Sequence, residues 1–265
     1  MRRYIAILNP NADRGRAAAR ADRLADALRG AAEVGLRRTT RRGEASELAQ
    51  AAVGEQVDAV LAVGGDGTVH EVANGLLAAG GPSRPPLGIV PAGSGNDFAF
   101  AIGIGNDFDA AVATINRNRT RAVDVGRIRG GDDRSKYFVN NVGMLLEGEI
   151  NIASHRIQWP KGSGLYYRAA LQKMLRPFRT AQLDIEVDGA QLRYEALVLS
   201  VCNGPRSGGK FLLIPDADVS DGALDYMLVR PTSRLALLRM ISSSVRGADH
   251  LSHRAVTTNR FVQMN

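Results

Sequence analysis

Cysteine is almost absent from this chain: among 265 residues there is one, Cys202. A single thiol cannot close an internal disulfide, and its apolar surroundings mark it as a buried structural residue suited to a reducing cytoplasm. Aromatic residues are also scarce, at 5%. With no stacking side chains interleaved in its basic stretch and no recognition motif, no nucleic-acid partner is expected. Long hydrophobic runs are missing too. The longest, such as Ala196 to Val201, fall far short of the roughly 20 residues a spanning helix needs. The apolar stretch after Met1-Arg2-Arg3 ends after five residues, too short for the hydrophobic region of a signal peptide. The expected location is therefore cytoplasmic, with any membrane contact peripheral.

What is present is a chain that can fold. Apolar residues make up 45% of it, enough for a full core, and its length suits two domains better than one. The net charge of +7 is uneven: residues 1 to 42 hold eleven Arg against four Asp or Glu, and the remainder is neutral. Such a face could attract nucleic acid, anionic lipid headgroups or nucleotide phosphates. Arg14, Arg16, Arg20 and Arg23, however, fall on a predicted helix whose outer face would be solvated in any case.

The first 125 residues alternate short apolar runs with helical patterns, the signature of β-α-β units and a mostly parallel, Rossmann-like α/β sheet. Strands are predicted at Tyr4 to Leu8, Val34 to Arg37, Val57 to Val63, Leu87 to Val90 and Arg121 to Ile128. Helices are predicted from Ala17 to Leu28, stopping at Gly30, and over Glu44 to Val53, Thr68 to Ala79 and Phe108 to Asn116. Beyond Asp124 the texture changes to runs of β-formers at Tyr137 to Asn141, Leu183 to Val187, Tyr194 to Cys202 and Leu224 to Val229. Asp188-Gly189 reads as a hairpin turn among them. This predicts an antiparallel β domain over 126–265 with one helical insertion, Leu165 to Leu175.

Three turns carry chemistry. Val63-Gly64-Gly65-Asp66-Gly67-Thr68 follows an apolar strand and opens a helix, so its glycines let backbone N–H groups approach an anion. It has neither the Walker nor the dinucleotide-binding spacing, so a nucleotide would be held differently. A strand-to-helix turn that needs glycine for shape is the plainer reading. Asp66 argues against it, because a carboxylate among three glycines adds nothing to such a turn yet could ligate Mg²⁺ or take a proton from an attacking hydroxyl. Pro91-Ala92-Gly93-Ser94-Gly95-Asn96-Asp97 follows the next strand, at the end where open α/β sheets bind ligands, although Asn96 or Asp97 taken alone reads as a helix cap. Asn9-Pro10-Asn11-Ala12-Asp13-Arg14-Gly15 closes the first strand in the same way.

These three turns, in this order, resemble the diacylglycerol kinase catalytic superfamily, and in particular its bacterial lipid kinases. Later landmarks are similar as well: Gly208-Gly209, Ile214-Pro215-Asp216-Ala217, and Ser220-Asp221-Gly222-Ala223-Leu224-Asp225. The resemblance spans residues 4 to 229. It implies a nucleotide-binding α/β domain followed by a β-sandwich-like, lipid-binding domain, and transfer of a phosphoryl group from ATP to a lipid hydroxyl, with diacylglycerol the default substrate. It further implies that Gly64, Gly65, Asp66, Gly67, Thr68, Gly93 and Ser94 line the ATP phosphates, with Asn9, Asn96 and Asp97 beside them and Asp66 catalytic. Thr39 or Thr40 matches the family's phosphate-contacting threonine, and spacing favours Thr39. Asp218, Asp221 and the carbonyl of Ala223 match a structural Mg²⁺ site, which is otherwise a polar turn before a strand. Asp124 matches an aspartate supporting the metal network, or else an exposed hinge residue. The implied partners are ATP, Mg²⁺, a lipid at the membrane surface and a second copy in a homodimer.

The sequence departs from the family pattern at one point. Bacterial members carry an Asp-Gly-Glu segment after a final strand, and none follows here. Arg260 to Asn265 reads as a strand in progress, so the second domain is expected to be truncated at its C-terminus, with phosphoryl transfer weak or absent, and a catalytically inactive nucleotide- or membrane-binding member of the superfamily is the alternative reading. A sharing of the Gly-Gly-Asp-Gly turn with NAD kinases makes those the nearest rival enzymes.

Overall fold

The computed structural model describes residues 1–81, 84–130, 135–154, 163–174 and 177–265. They form two compact units, one of residues 1–122 with 127–139 and one of 123–126 with 140–265. The chain thus does not cross once at residue 125. Residues 127–139 belong to the first unit because Asn74 binds both backbone groups of Tyr137, its Nδ2 donating to the carbonyl at 2.9 Å and its Oδ1 accepting from the N–H at 3.0 Å.

The first unit is built on β1 (Arg2–Leu8), α1 (Arg16–Ala27), β2 (Ala32–Arg38), α2 (Glu44–Val53), β3 (Ala59–Gly64), α3 (Asp66–Ala78), β4 (Leu87–Pro91), α4 (Asp97–Ala101) and α5 (Phe108–Arg117). All four strands run parallel in the order β2-β1-β3-β4. Alternation along β1 explains the layering: Tyr4, Ala6 and Leu8 join a core with Ala17, Ala21 and Leu24 of α1 and Phe108 and Val112 of α5. Ile5 and Ile7, equally buried, point to the opposite face, where α2 and α3 pack. Every residue of β3 is buried, as a central parallel strand requires. The predicted fifth strand is corrected. Only β5 (Gly126–Arg129) is extended, and it pairs with β6 (Ser135–Phe138) in a separate ribbon.

The second unit contains β7 (Asn141–Leu145), α6 (Leu146–Ser154), α7 (Ser163–Met174), β8 (Ala181–Val187), β9 (Ala190–Ala196), β10 (Val198–Cys202), β11 (Arg206–Ser207), β12 (Phe211–Leu212), β13 (Leu224–Val229), α8 (Arg234–Ser244) and β14 (Val256–Phe261). Its main sheet is antiparallel in the order β14-β13-β10-β7. The run Tyr194 to Cys202 is not one strand: it breaks at Leu197, after which β9 stays in its hairpin with β8 and β10 enters the main sheet. The hairpin turns at Asp188 and Gly189, both with positive φ of 48° and 86°, as expected of an Asp-Gly pair. The insertion is not one helix either. α7 overlaps the expected Leu165 to Leu175, whose last residue lies outside the described set, while α6 and α8 were not expected. Ser233 caps α8 by accepting the N–H of Ala236 at 3.2 Å. β14 ends at Phe261, but Arg260 to Asn265 goes on pairing past it: Met264 bridges to Val187 of β8, and Asn265 and Glu186 exchange backbone hydrogen bonds at 2.9 Å.

Candidate functional site

The parallel ladder extends past its strands. The N–H of Asn9 donates to Val63 O at 3.2 Å, that of Thr39 to Leu8 O at 2.9 Å and that of Ala92 to Gly64 O at 2.8 Å. Thr39, Asn9, Gly64-Gly65 and Ala92-Gly93 are thereby set in a row along the C-terminal edge of the sheet, where open α/β sheets bind ligands. Thr39 is buried, with its hydroxyl donating to Leu8 O at 3.3 Å. Thr40 is exposed and donates to the Glu44 carboxylate through its hydroxyl, at 2.9 Å, and its N–H. That backbone bond, more than any other contact, holds the Glu44 carboxyl below its ordinary value. The two threonines therefore have different surroundings, and Thr39 is the one built into the sheet edge. Asn9 shapes its own turn, its Oδ1 accepting the N–H of Asn11 at 3.0 Å.

The Gly64-Gly65 and Gly93 turns touch through backbone. A Cβ on Gly93 would fall 2.3 Å from the Cα of Gly65, and one on Gly64 would fall 2.2 Å from the hydroxyl of Thr68, a buried side chain. Glycine is required at these positions for packing. Gly67 differs, because a Cβ there would meet nothing within 4 Å. It lies in the first turn of α3, where the leading N–H groups have no carbonyl one turn earlier to bond and the helix dipole favours negative charge. The open space at Gly67 is what an anion would fill. Asp66, half-buried, joins the turns, its Oδ1 accepting the N–H of Phe98 at 3.2 Å.

Asn96 is built into the Gly93 turn. It is buried and left-handed, with φ of 55°. Its Oδ1 accepts the N–H of Gly93 at 3.0 Å, and its Nδ2 donates to Gly93 O at 2.9 Å and to Asn106 Oδ1 at 2.7 Å. It precedes α4 without capping it through its side chain. Its amide fixes the Gly93 turn. Asp97 is buried at the start of α4, and Ser94 is exposed.

In the second unit, Asp124 is tied to the 219–222 loop: its N–H donates to Val219 O at 2.6 Å and its Oδ2 accepts the N–H of Gly222 at 2.8 Å. Asp218 Oδ1 accepts from the N–H and hydroxyl of Ser220 at 2.9 and 2.7 Å. Asp221 accepts the N–H of Ala223 at 3.1 Å and pairs with Arg260 at 3.1 Å. Arg260 also reaches Asp225, at 3.6 Å, whose carboxyl burial pushes above its ordinary value against the pull of that arginine. Among the described residues no three His, Cys, Asp or Glu side chains gather to hold a metal. The expected set of Asp218, Asp221 and the Ala223 carbonyl lies in this loop, where N–H groups and the Arg260 guanidinium contact its two carboxylates.

The second unit also contains an apolar cavity of about 150 Å³, walled by Leu146, Ile150, Phe211, Leu237, Met240 and Val256. Its lining has the apolar character of a pocket for an apolar ligand. Two titratable groups line it. Glu147 accepts a hydrogen bond from Ser200, and burial raises its carboxyl above the ordinary value against that bond. Gly143 leaves room for it, as a Cβ there would fall 2.3 Å from Glu147 Cδ. Leu145 turns into the helix with φ of 58°, a strained conformation for leucine. His250 is buried with Nε2 3.0 Å from Leu213 O and Nδ1 unpartnered, and burial lowers its pKa. Neither was expected from the sequence, since an isolated Glu or His among apolar residues carries no spacing signal.

Residues 3–128 match the diacylglycerol kinase catalytic domain, and residues 140–265 match the YegS C-terminal NAD kinase beta sandwich-like domain. A diacylglycerol kinase of Bacillus subtilis is 32% identical over 217 residues, 81% of this chain and 68% of the relative. One from Mycobacterium tuberculosis strain H37Rv is 35% identical over 219 residues, 82% of this chain and 69% of its own length. The chain belongs to the bacterial diacylglycerol kinase family. A crystal structure of a diacylglycerol kinase from Bacillus anthracis strain Sterne matches 99% of this chain and 84% of its own, with a TM-score of 0.77 at 25% identity. As a member of this family the chain is a lipid kinase, which requires a phosphoryl donor site and a lipid site. No helix of the described residues is long and apolar enough to cross a membrane.

Proposed function

We propose that this chain is an ATP-dependent diacylglycerol kinase that converts diacylglycerol to phosphatidic acid. The observation that carries the reading is the locking of the Gly64-Gly65 and Gly93 turns against each other beside the open first turn of α3, a rigid cradle for the nucleotide phosphates. The attacking lipid hydroxyl forms a new O–P bond to the γ-phosphorus while the bridging bond to the β-phosphate breaks, and the hydroxyl proton leaves. Mg²⁺ would enter with the nucleotide, with Asp66 as its protein carboxylate, and when bound it would neutralise charge on the transferred group. The chain itself supplies position: N–H groups of α3 hold the phosphates, Asn96 and Thr39 keep the neighbouring turns in place, and Asp66 stands ready to bind metal-bound water or accept the proton. The apolar cavity of the second unit is the proposed site of the acyl chains.

The test is ATP-dependent phosphorylation of diacylglycerol in mixed micelles with Mg²⁺, run beside nucleotide binding. Turnover that vanishes in Asp66→Ala while nucleotide binding persists supports the reading. Nucleotide binding with no turnover on any lipid would overturn it.

A further inference from the structure

We propose that the outer face of α8, with the exposed apolar side chains of α6 and α7, is the surface by which this kinase docks on an anionic lipid bilayer. The inference rests on the lipid-kinase reading and adds where the membrane meets the protein. Helices α6, α7 and α8 wall the apolar cavity with one set of residues, among them Leu146, Ile150, Ala170, Leu237 and Met240. A different set faces solvent: Ile152 is 62% exposed, Leu171 55%, Leu235 57% and Leu238 43%. Of six exposed large apolar side chains in the described part of the second unit, four lie on these three helices. Solvent-facing leucine and isoleucine on the helices that wall an apolar cavity is the pattern of a surface that is dry in use.

The two faces of α8 follow from helical spacing. Leu237, Met240, Ile241 and Ser244 recur at intervals of three and four and line the cavity. Arg234, Leu235, Leu238 and Arg239 form the opposite, exposed stripe. The helix contains no acid, and Arg246 follows it, so arginines flank the exposed leucines as in helices that lie in the headgroup layer. On the elements packed nearby, Glu149 of α6 is paired with Lys173 of α7 at 2.8 Å, which leaves Asp249 as the acid of the adjoining turn. Anionic headgroups fit this charge.

Several of the eleven arginines among residues 1 to 42 are engaged with carboxylates of the first unit. Arg23 pairs with Asp109 at 3.1 Å, Arg37 with Glu55 at 2.6 Å and Arg41 with Glu47 at 2.5 Å. At 11 residues, α8 is too short to span a bilayer and long enough to lie along one.

The experiment is co-sedimentation of the full chain with vesicles of phosphatidylcholine alone or mixed with phosphatidylglycerol, without ATP. Binding should require phosphatidylglycerol and weaken with salt. Leu235→Ser with Leu238→Ser should lower the vesicle-bound fraction about tenfold, and Arg234→Gln with Arg239→Gln should remove most of its salt dependence. Thermal melting and turnover of a short-chain, water-soluble diacylglycerol should be unchanged in the leucine variant. Vesicle binding indifferent to the leucine pair or to phosphatidylglycerol would overturn the proposal. So would a dimer that the leucine variant converts to monomer with vesicle binding intact, which would assign the face to a second copy. Binding as expected but with no turnover on any lipid would support the docking face and overturn the diacylglycerol reading instead.

Discussion

A Cβ on Gly93 would stand 2.3 Å from the Cα of Gly65, so the two glycine turns of the candidate phosphate site are in backbone contact. Neither side of that contact is a flexible side chain that could move aside. Gly93→Ala is therefore expected to cost about 1–3 kcal/mol of stability and to weaken nucleotide binding, because relieving the clash separates the turns. Urea unfolding with nucleotide titration checks it; unchanged stability would show that the turns can part freely.

Gly64 and Gly67 are three residues apart and should respond in opposite ways. Gly64→Ala drives a Cβ to 2.2 Å from the Thr68 hydroxyl and should destabilise by a similar margin. Gly67→Ala meets no neighbour within 4 Å, and in a helix alanine is preferred to glycine by about 1 kcal/mol. It should melt no lower than the parent while its KM for ATP rises. A fall in both quantities would count against an anion in that space.

Asp66→Asn retains an oxygen to accept the N–H of Phe98, so folding should be preserved. Loss of the carboxylate as base or metal ligand should lower kcat by about 10²–10⁴-fold. The measurement is turnover at saturating nucleotide, with circular dichroism to confirm the fold.

Burial raises the Glu147 carboxyl above its ordinary value of 4.5, against the hydrogen bond from Ser200. The folded state therefore holds this proton at pH values where the unfolded chain has released it. Stability from this group is complete below the unfolded value and declines as pH rises through the folded one. His250, lowered by burial, acts in the other direction, with its contribution present above its ordinary 6.5 and lost as pH falls. Glu147→Gln should flatten the alkaline side of the Tm-against-pH curve and leave the acid side in place. An identical alkaline slope in the variant would show that Glu147 is solvated.

The fold was legible where the signal is local. Glu44 to Val53 and Leu224 to Val229 were read to the residue, because a single buried face or an apolar run bounded by turns states itself in the sequence. α8 was missed although Ser233 before Arg234-Leu235-Ala236-Leu237-Leu238 is a capping signal, since β-rich neighbours on either side favoured more strands. The break at Leu197 was illegible because both halves of Tyr194 to Cys202 are good β-formers, and only their different sheet partners divide them.

The sequence by itself determined the parallel sheet, the glycine turns at its strand ends and membership of a lipid kinase family, because these depend on periodicity and on residue types with few conformational alternatives. Only the tertiary structure decided which glycine is packed and which is open, that Asn96 fixes a turn, that Arg260 pairs with Asp221, and that Glu147 lines an apolar cavity. Each of these depends on a distance between residues far apart in the chain, and spacing along a sequence does not encode such distances.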